Sequence, residues 1–402
     1  MGAYEQLSAD DRRKVDSLLA ETRAAGGLAP VDLERFWADQ AVARADPFGA
    51  HIPQVPLGAI CTGECVFDEL GIEQDSFRYE NDPAWAVGLN RRYNDLSERN
   101  VGRRLLSETV PDPARRWPEW KRLSDVFEAR DVWEGGKAGS WWLRPSAGTA
   151  DELRGLLDRV DGRDIRRFIL PANWEEEKAR LRALESPPPP PLYRGQRGPC
   201  TFACSIFGVE NMLLLCLDEP ALAERLSRTI LRVMLEIARV LDEEAGYTPA
   251  TAPRGFAFCD DNCCLFTPAM YEMFGYPILE GMFARYSPGP ADSRYQHSDS
   301  AMGHLLPLLG RQGLTGTNFG PTLTVAEIRR HLPRAVIDGQ LAPFTFSRDD
   351  QRNMVAELLR DFAQARPKRG LVFATAGSVN NGSRLAGMRL LMSAIQRHGR
   401  YE

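Results

Sequence analysis

No uninterrupted apolar run in this chain approaches the ~20 residues that a membrane-spanning helix requires, although 43% of its 402 residues are hydrophobic. The N-terminal stretch MGAYEQLSADDRRKVDSLL is polar and acidic, where a signal peptide is basic and then apolar. Both absences lead us to expect a cytoplasmic protein without a membrane partner. Lysine is scarce, five of the 50 basic residues, and the arginines are scattered rather than massed. With a net charge of −5, the chain shows no electrostatic footprint for nucleic acid. No GxGxxG follows a strand-like segment, which argues against a dinucleotide-binding fold.

Eight cysteines stand at positions 61, 65, 200, 204, 216, 259, 263 and 264, bunched in pairs without the even spacing of a secreted scaffold. In a reducing compartment such clusters serve as ligands, nucleophiles or packing residues more often than as disulfides. Cys61 and Cys65 flank a glycine at the end of a strand-like run. They read either as two small buried thiols in a tight turn or as a metal or redox pair.

The chain opens with two helical patterns over residues 10–45, an N-terminal helical arm of about residues 1–50. Residues 55–60 read as a strand. Residues 75–190 carry a Trp-rich segment (117–142), helical patterns at 149–160 and 173–184, and a short strand-like run at 167–170. Beyond a proline-rich connector, residues 192–197 read as another strand. Residues 220–244 repeat Leu222, Leu226, Ile230, Val233, Ile237 and Leu241 at helical spacing, the mark of a core helix. From Gly255 onward strand and helix alternate five times, with strands expected at 255–259, around 295, and at 313–319, 335–339 and 370–376. Their helices are expected to follow Thr267-Pro268, Asp299, Thr324, Ser347 and Ser383. This alternation is the signature of a parallel α/β structure. Counting every strand-like run gives eight, so a single (β/α)8 barrel over 51–402 is preferred to an open doubly wound sheet.

The segment RYQHSDSAMGHLLP (294–307) sets His297 and Asp299 two residues apart at a strand end, where both point to one side and are able to hold a metal ion. The alternative makes His297 a local cap and Asp299 a first-turn acid. After the strand at 255–259 come Asp260, Asp261, Cys263 and Cys264. The two carboxylates are candidates for acid/base catalysis or, should this strand neighbour that of His297, for a further carboxylate ligand, and Cys263 for a further metal ligand; acidic capping and buried thiols are the structural alternative. The run Gly377-Ser-Val-Asn-Asn-Gly-Ser383 precedes the last helix, and its N–H groups can form an anion site in which Asn380, Asn381, Ser383 and Arg384 bind substrate.

Several of these features together resemble the uroporphyrinogen decarboxylase and cobamide-dependent methyltransferase superfamily. They are the acidic pair before Thr267-Pro268 and Tyr271, His297 at a strand end, the GTNFGP and DGQLAP turns, and the ATAGSVNNGS loop. The resemblance covers about the last 150 residues. It implies a (β/α)8 barrel with its site at the C-terminal mouth of the strands. True decarboxylases of that superfamily carry an Arg-rich segment after the first strand, but this chain reads GAICTGEC there, which argues against a porphyrinogen substrate. The methyltransferase branch holds zinc with His-x-Cys and a later Cys; here Asp299 replaces the Cys, a harder donor that also suits iron or manganese. The resemblance thus implies a metal-dependent methyltransferase acting on a small molecule, with a corrinoid protein as a candidate partner; the donor set suits zinc, iron or manganese, and the Gly377–Ser383 loop suits a carboxylate- or phosphate-bearing substrate. Two alternatives stand beside it: a metal-free decarboxylase of a small carboxylic acid using Asp260 or Asp261, and a non-catalytic barrel that binds a corrinoid or other partner.

Overall fold

The computed structural model describes residues 2–401 of an α/β protein. It has eight strands: β1 (Arg130–Glu134), β2 (Ser140–Arg144), β3 (Gly195–Arg197), β4 (Phe256–Cys259), β5 (Arg294–Ser298), β6 (Gly316–Phe319), β7 (Val336–Leu341) and β8 (Leu371–Thr375). β1 and β2 form an antiparallel hairpin. The other six make one parallel sheet in the order β3-β4-β5-β6-β7-β8, as expected when strands alternate with helices. No single helix among the described residues is long and apolar enough to cross a membrane.

The chain divides into two compact units. The first comprises residues 2–110, 298–306 and 316–401. Its opening helices, Ala9–Ala24 and Leu33–Ala45, start at Ser8 and Asp32, whose side chains accept backbone N–H groups. β7 and β8 pair in parallel over five residues, Ile337 to Leu341 against Leu371 to Thr375. The strand expected at 55–60 is present only as an extended segment on the far side of β8. Leu57 bridges Phe373 in parallel, the Gly58 N–H donates to Phe373 O (2.8 Å) and the Phe373 N–H donates to Pro56 O (2.8 Å). Pro53 and Pro56 lack the N–H groups that a longer ladder would use. Gly58 lets the segment approach closely, since a Cβ there would lie 2.7 Å from both Ala374 Cβ and Val372 Cγ1. The helix expected from Ser347 instead runs Gln351–Ala365 and is capped by Asp350, because a separate short helix, Pro343–Ser347, uses up the preceding turn.

The second unit comprises residues 111–297 and 307–315. Its core helix, Pro220–Ala245, buries the full Leu222-to-Leu241 stripe. The strand expected at 167–170 is an error: residues Ile165–Ile169 are helical. Asp164 accepts the Arg167 N–H at 3.1 Å and caps a turn whose short apolar run reads equally as strand. The hairpin β1/β2 lies in the Trp-rich segment; its Trp141 and Trp142 are exposed. Thr267 caps Pro268–Tyr286 as expected, with Pro268 in the first turn.

Candidate metal centre

Side-chain alternation along β4 and β5 decides which residues face an open site. On β4, Phe256 and Phe258 are buried against the helix Pro268–Tyr286, with Phe258 5.7 Å from Phe283 and Phe256 6.3 Å from Tyr286 between ring centres. Ala257 and Cys259 therefore face the other way and are more open. β5 repeats the pattern: Gln296 is buried, while Tyr295 and His297 are partly open. The register sets Ala257 beside Tyr295 and Cys259 beside His297.

Just past β4 the chain separates two adjacent carboxylates. Asp260 is fully buried, and its carboxylate accepts the Thr201 N–H at 2.8 Å, with the Cys200 N–H 3.5 Å from the other oxygen. It thus supplies the cap that Gly198, at the N-terminus of helix Pro199–Phe207, has no side chain to supply. Burial pushes its pKa up to about 6, while the hydrogen bond from Thr201 pulls the other way. Gly198 is required for this approach, because a Cβ there would lie 2.1 Å from Asp260 Cβ. Asp261 opens a 3-10 turn, Asp261–Leu265, and turns outward; its side chain is 39% exposed, and Oδ1 lies 3.7 Å from His297 Nε2.

Asp261, His297 and Asp299 each place one ligand atom within 4.8 Å of the other two. Donors about 2.1 Å from one tetrahedral ion stand roughly 3.4 Å apart. The 3.7 Å pair is thus already near chelating distance, and a small closure suffices for the third donor. One imidazole nitrogen and two carboxylate oxygens form a borderline-to-hard set that suits zinc, iron or manganese and balances a divalent charge. A His/Asp/Asp group able to hold a metal ion is therefore present. Asp261, expected to act as an acid or base or as a further carboxylate ligand, is brought together with the two expected ligands. Cys263 lies in the same turn but is fully buried and is not one of the three.

Among solved structures, the chain is similar to a methyltransferase from Methanosarcina mazei, at 15% identity and a TM-score of 0.53 over 89% of this chain and 97% of that one. At that identity the likeness is one of fold. No family model and no curated protein matches the chain.

The other expected site residues are engaged within the first unit. The Gly382 N–H donates to Asp68 Oδ2 (2.6 Å) and the Leu385 N–H to Glu69 Oε2 (3.0 Å). Arg384 donates to the Asp68 carbonyl, and Asn381 donates to Gln74 Oε1 (2.8 Å). Ser383 is buried, and its N–H donates to Asn380 O (3.2 Å). Of the backbone donors expected to cradle an anion, the Gly382 N–H thus already binds one of the chain's own carboxylates, and the Gly377 N–H donates to Asn318 Oδ1 (3.0 Å). Asn381 also lines a cavity of about 300 Å³ with Glu64, Phe67 and Tyr79. Cys61 and Cys65 are both buried. A hydrogen bond between the two thiols raises the pKa of Cys61 and lowers that of Cys65.

The spacing of His297 and Asp299 in the sequence was enough to pick out two members of the converging group. Asp261 joins them by a strand register that no local pattern encodes; its signal was only that it, too, closely follows a strand.

Proposed function

We propose that the chain is a metal-dependent, methyltransferase-like enzyme on a (β/α)8 barrel, with Asp261, His297 and Asp299 holding one divalent ion, zinc before iron or manganese. The convergence of those three side chains carries this reading. Fold similarity to a methyltransferase supports it. The extended segment hydrogen-bonded to β8 supports the barrel by adding a seventh parallel element to the six-stranded sheet.

When bound, such an ion lowers the pKa of a coordinated nucleophile or water and so makes an attacking anion available near neutral pH. The chain's own residues do the rest. His297 and Asp261 are fixed by the β4/β5 register, so their donor atoms are positioned before substrate arrives. Asp260 anchors the turn from behind while remaining too buried to meet substrate. That burial removes Asp260 as the free acid of a metal-free decarboxylase and leaves Asp261 as the one carboxylate of the pair open for that role. The substrate is a small molecule and the methyl donor lies outside the chain, with a corrinoid protein as the candidate donor.

Elemental analysis of protein purified without added metal tests the reading. About one equivalent of a transition metal is expected, and activity should be lost on chelation. A metal-free protein that binds neither zinc, iron nor manganese on titration would end it.

A further inference from the structure

Arg197, Cys259 and His297 occupy matching positions on three successive parallel strands. The β3/β4 register pairs Arg197 with Cys259, and the β4/β5 register pairs Cys259 with His297. Side chains at paired positions of neighbouring parallel strands share one face of the sheet. The three therefore form a row, on the face that the buried Phe258 and Gln296 leave open. One end of the row is the Asp261–His297 pair. The other is a cavity of about 410 Å³ whose polar lining is Arg122, Ser124, Asp131, Gln196, Arg197 and Cys259.

Two of those groups are guanidiniums and one is a carboxylate, so the lining carries net positive charge. Arg197 is exposed, and its one side-chain hydrogen bond is a long one to Ser205 Oγ (3.3 Å). Its guanidinium keeps donors free for a ligand, and an exposed guanidinium in a concave site matches a planar carboxylate or a phosphate. We infer that this cavity is the subsite for the anionic end of the substrate, a small molecule that carries a carboxylate, sulfonate or phosphate a few atoms from its reacting atom. Strand spacing sets that length. Neighbouring strands lie ~4.8 Å apart, so Arg197 and His297 are about 10 Å apart at Cα, and side chains leaning over the same face shorten the gap to a short spacer. The inference rests on the metal reading for where the reacting atom sits, but the anion subsite itself needs no metal.

Cys259 provides the test, because among the eight cysteines it is the exposed one, Cys264 is half-buried and the other six are buried. Chelator-treated full-length protein is alkylated with iodoacetate or with iodoacetamide, and the rate at Cys259 is followed by peptide mass spectrometry. The ratio of the two rates at one thiol does not depend on how much thiolate is present; it reads the attraction of the site for a carboxylate. We expect a ratio about tenfold above that of a free thiol. It should fall at least fivefold in Arg197→Gln and in Arg122→Gln and be largely kept in Arg197→Lys, and millimolar propionate should protect Cys259 from iodoacetamide. A wild-type ratio equal to that of the free thiol, or one unchanged by both Gln substitutions, overturns the subsite. Metal content, measured on separate aliquots, should be the same in wild type and Arg197→Gln. Its loss would move Arg197 into the metal centre and also overturn the subsite, whereas failure of the labelling arm leaves the metal reading standing.

Discussion

Asp260 and Asp261 are neighbours in the chain but face opposite ways: one is fully buried and caps helix Pro199–Phe207, and the other lies 3.7 Å from His297. Their substitutions should therefore separate. Asp260→Ala removes a helix cap, costing about 1–2 kcal/mol, and should lower the urea midpoint while metal content is kept. Asp261→Asn should leave the midpoint within error and weaken metal binding by at least about tenfold. Equal effects of the two on metal content would contradict this division.

His297 contributes the one nitrogen donor of the group, so His297→Ala should reduce metal affinity by about a hundredfold or more and abolish activity with it. Asp299→Ala should weaken both to a smaller degree, and Cys263→Ser should do neither. Metal titration with a competing chelator ranks the three. Stoichiometric metal retained in His297→Ala would shift the assignment to other ligands.

Glu357 is buried beneath the end of β7, where it accepts the Ala342 N–H (2.7 Å) and the Thr345 hydroxyl (2.8 Å). Burial raises its pKa to about 7, against the opposing pull of those hydrogen bonds and of Arg360; Asp361 adds to the rise. A carboxyl whose folded pKa lies above its unfolded value binds protons more tightly when folded. Its stabilising contribution is complete below about pH 4.5 and is lost as the pH climbs to about 7, by up to roughly 3 kcal/mol. Asp361, whose pKa is also raised by burial, acts in the same direction. Urea melts at pH 5 and pH 8 should show wild type weaker at pH 8 and Glu357→Gln with a smaller difference between the two. A steeper pH dependence in the variant would count against the assignment.

Gly58→Ala drives a methyl group into Ala374 and Val372. Overpacking of this kind costs about 1–3 kcal/mol. The variant should unfold at lower urea, with hydrogen exchange at the Phe373 amide accelerated, since that N–H donates to Pro56 O. Unchanged exchange would mean that the segment moves aside without loss.

Much of the α/β alternation was legible because its punctuation is local. Thr267-Pro268 and the Thr324/Glu327 capping box announce their helices from within a few residues. Residues 165–169 were not legible, because a five-residue run of Ile, Arg, Arg, Phe, Ile suits either period and only the Asp164 cap decides it. The hairpin β1/β2 was hidden because its exposed Trp141 and Trp142 break the usual alternation of polar and apolar faces. At the site, His297 and Asp299 were legible from spacing alone. The row through Arg197 and Cys259 was not, since register between strands about 60 residues apart leaves no trace in either strand. The partners of the Gly377–Ser383 loop were hidden for the same reason: Asp68 and Glu69, which accept the Gly382 and Leu385 N–H groups, lie more than 300 residues earlier in the chain.

The 2.1 Å clearance between a Cβ at Gly198 and the Cβ of Asp260 has a consequence for laboratory evolution of this protein. Libraries that diversify the ends of β3 and β4 will find both positions closed to single changes, because any larger residue at 198 displaces the carboxylate that caps the next helix. Arg197 and Cys259, each directly beside one of these locked positions, lie exposed on the open face of the sheet and can be varied without disturbing that contact, whereas Asp261 is held by its part in the metal group. Selectivity can therefore be retuned at two positions whose backbone is held in place by their immediate neighbours.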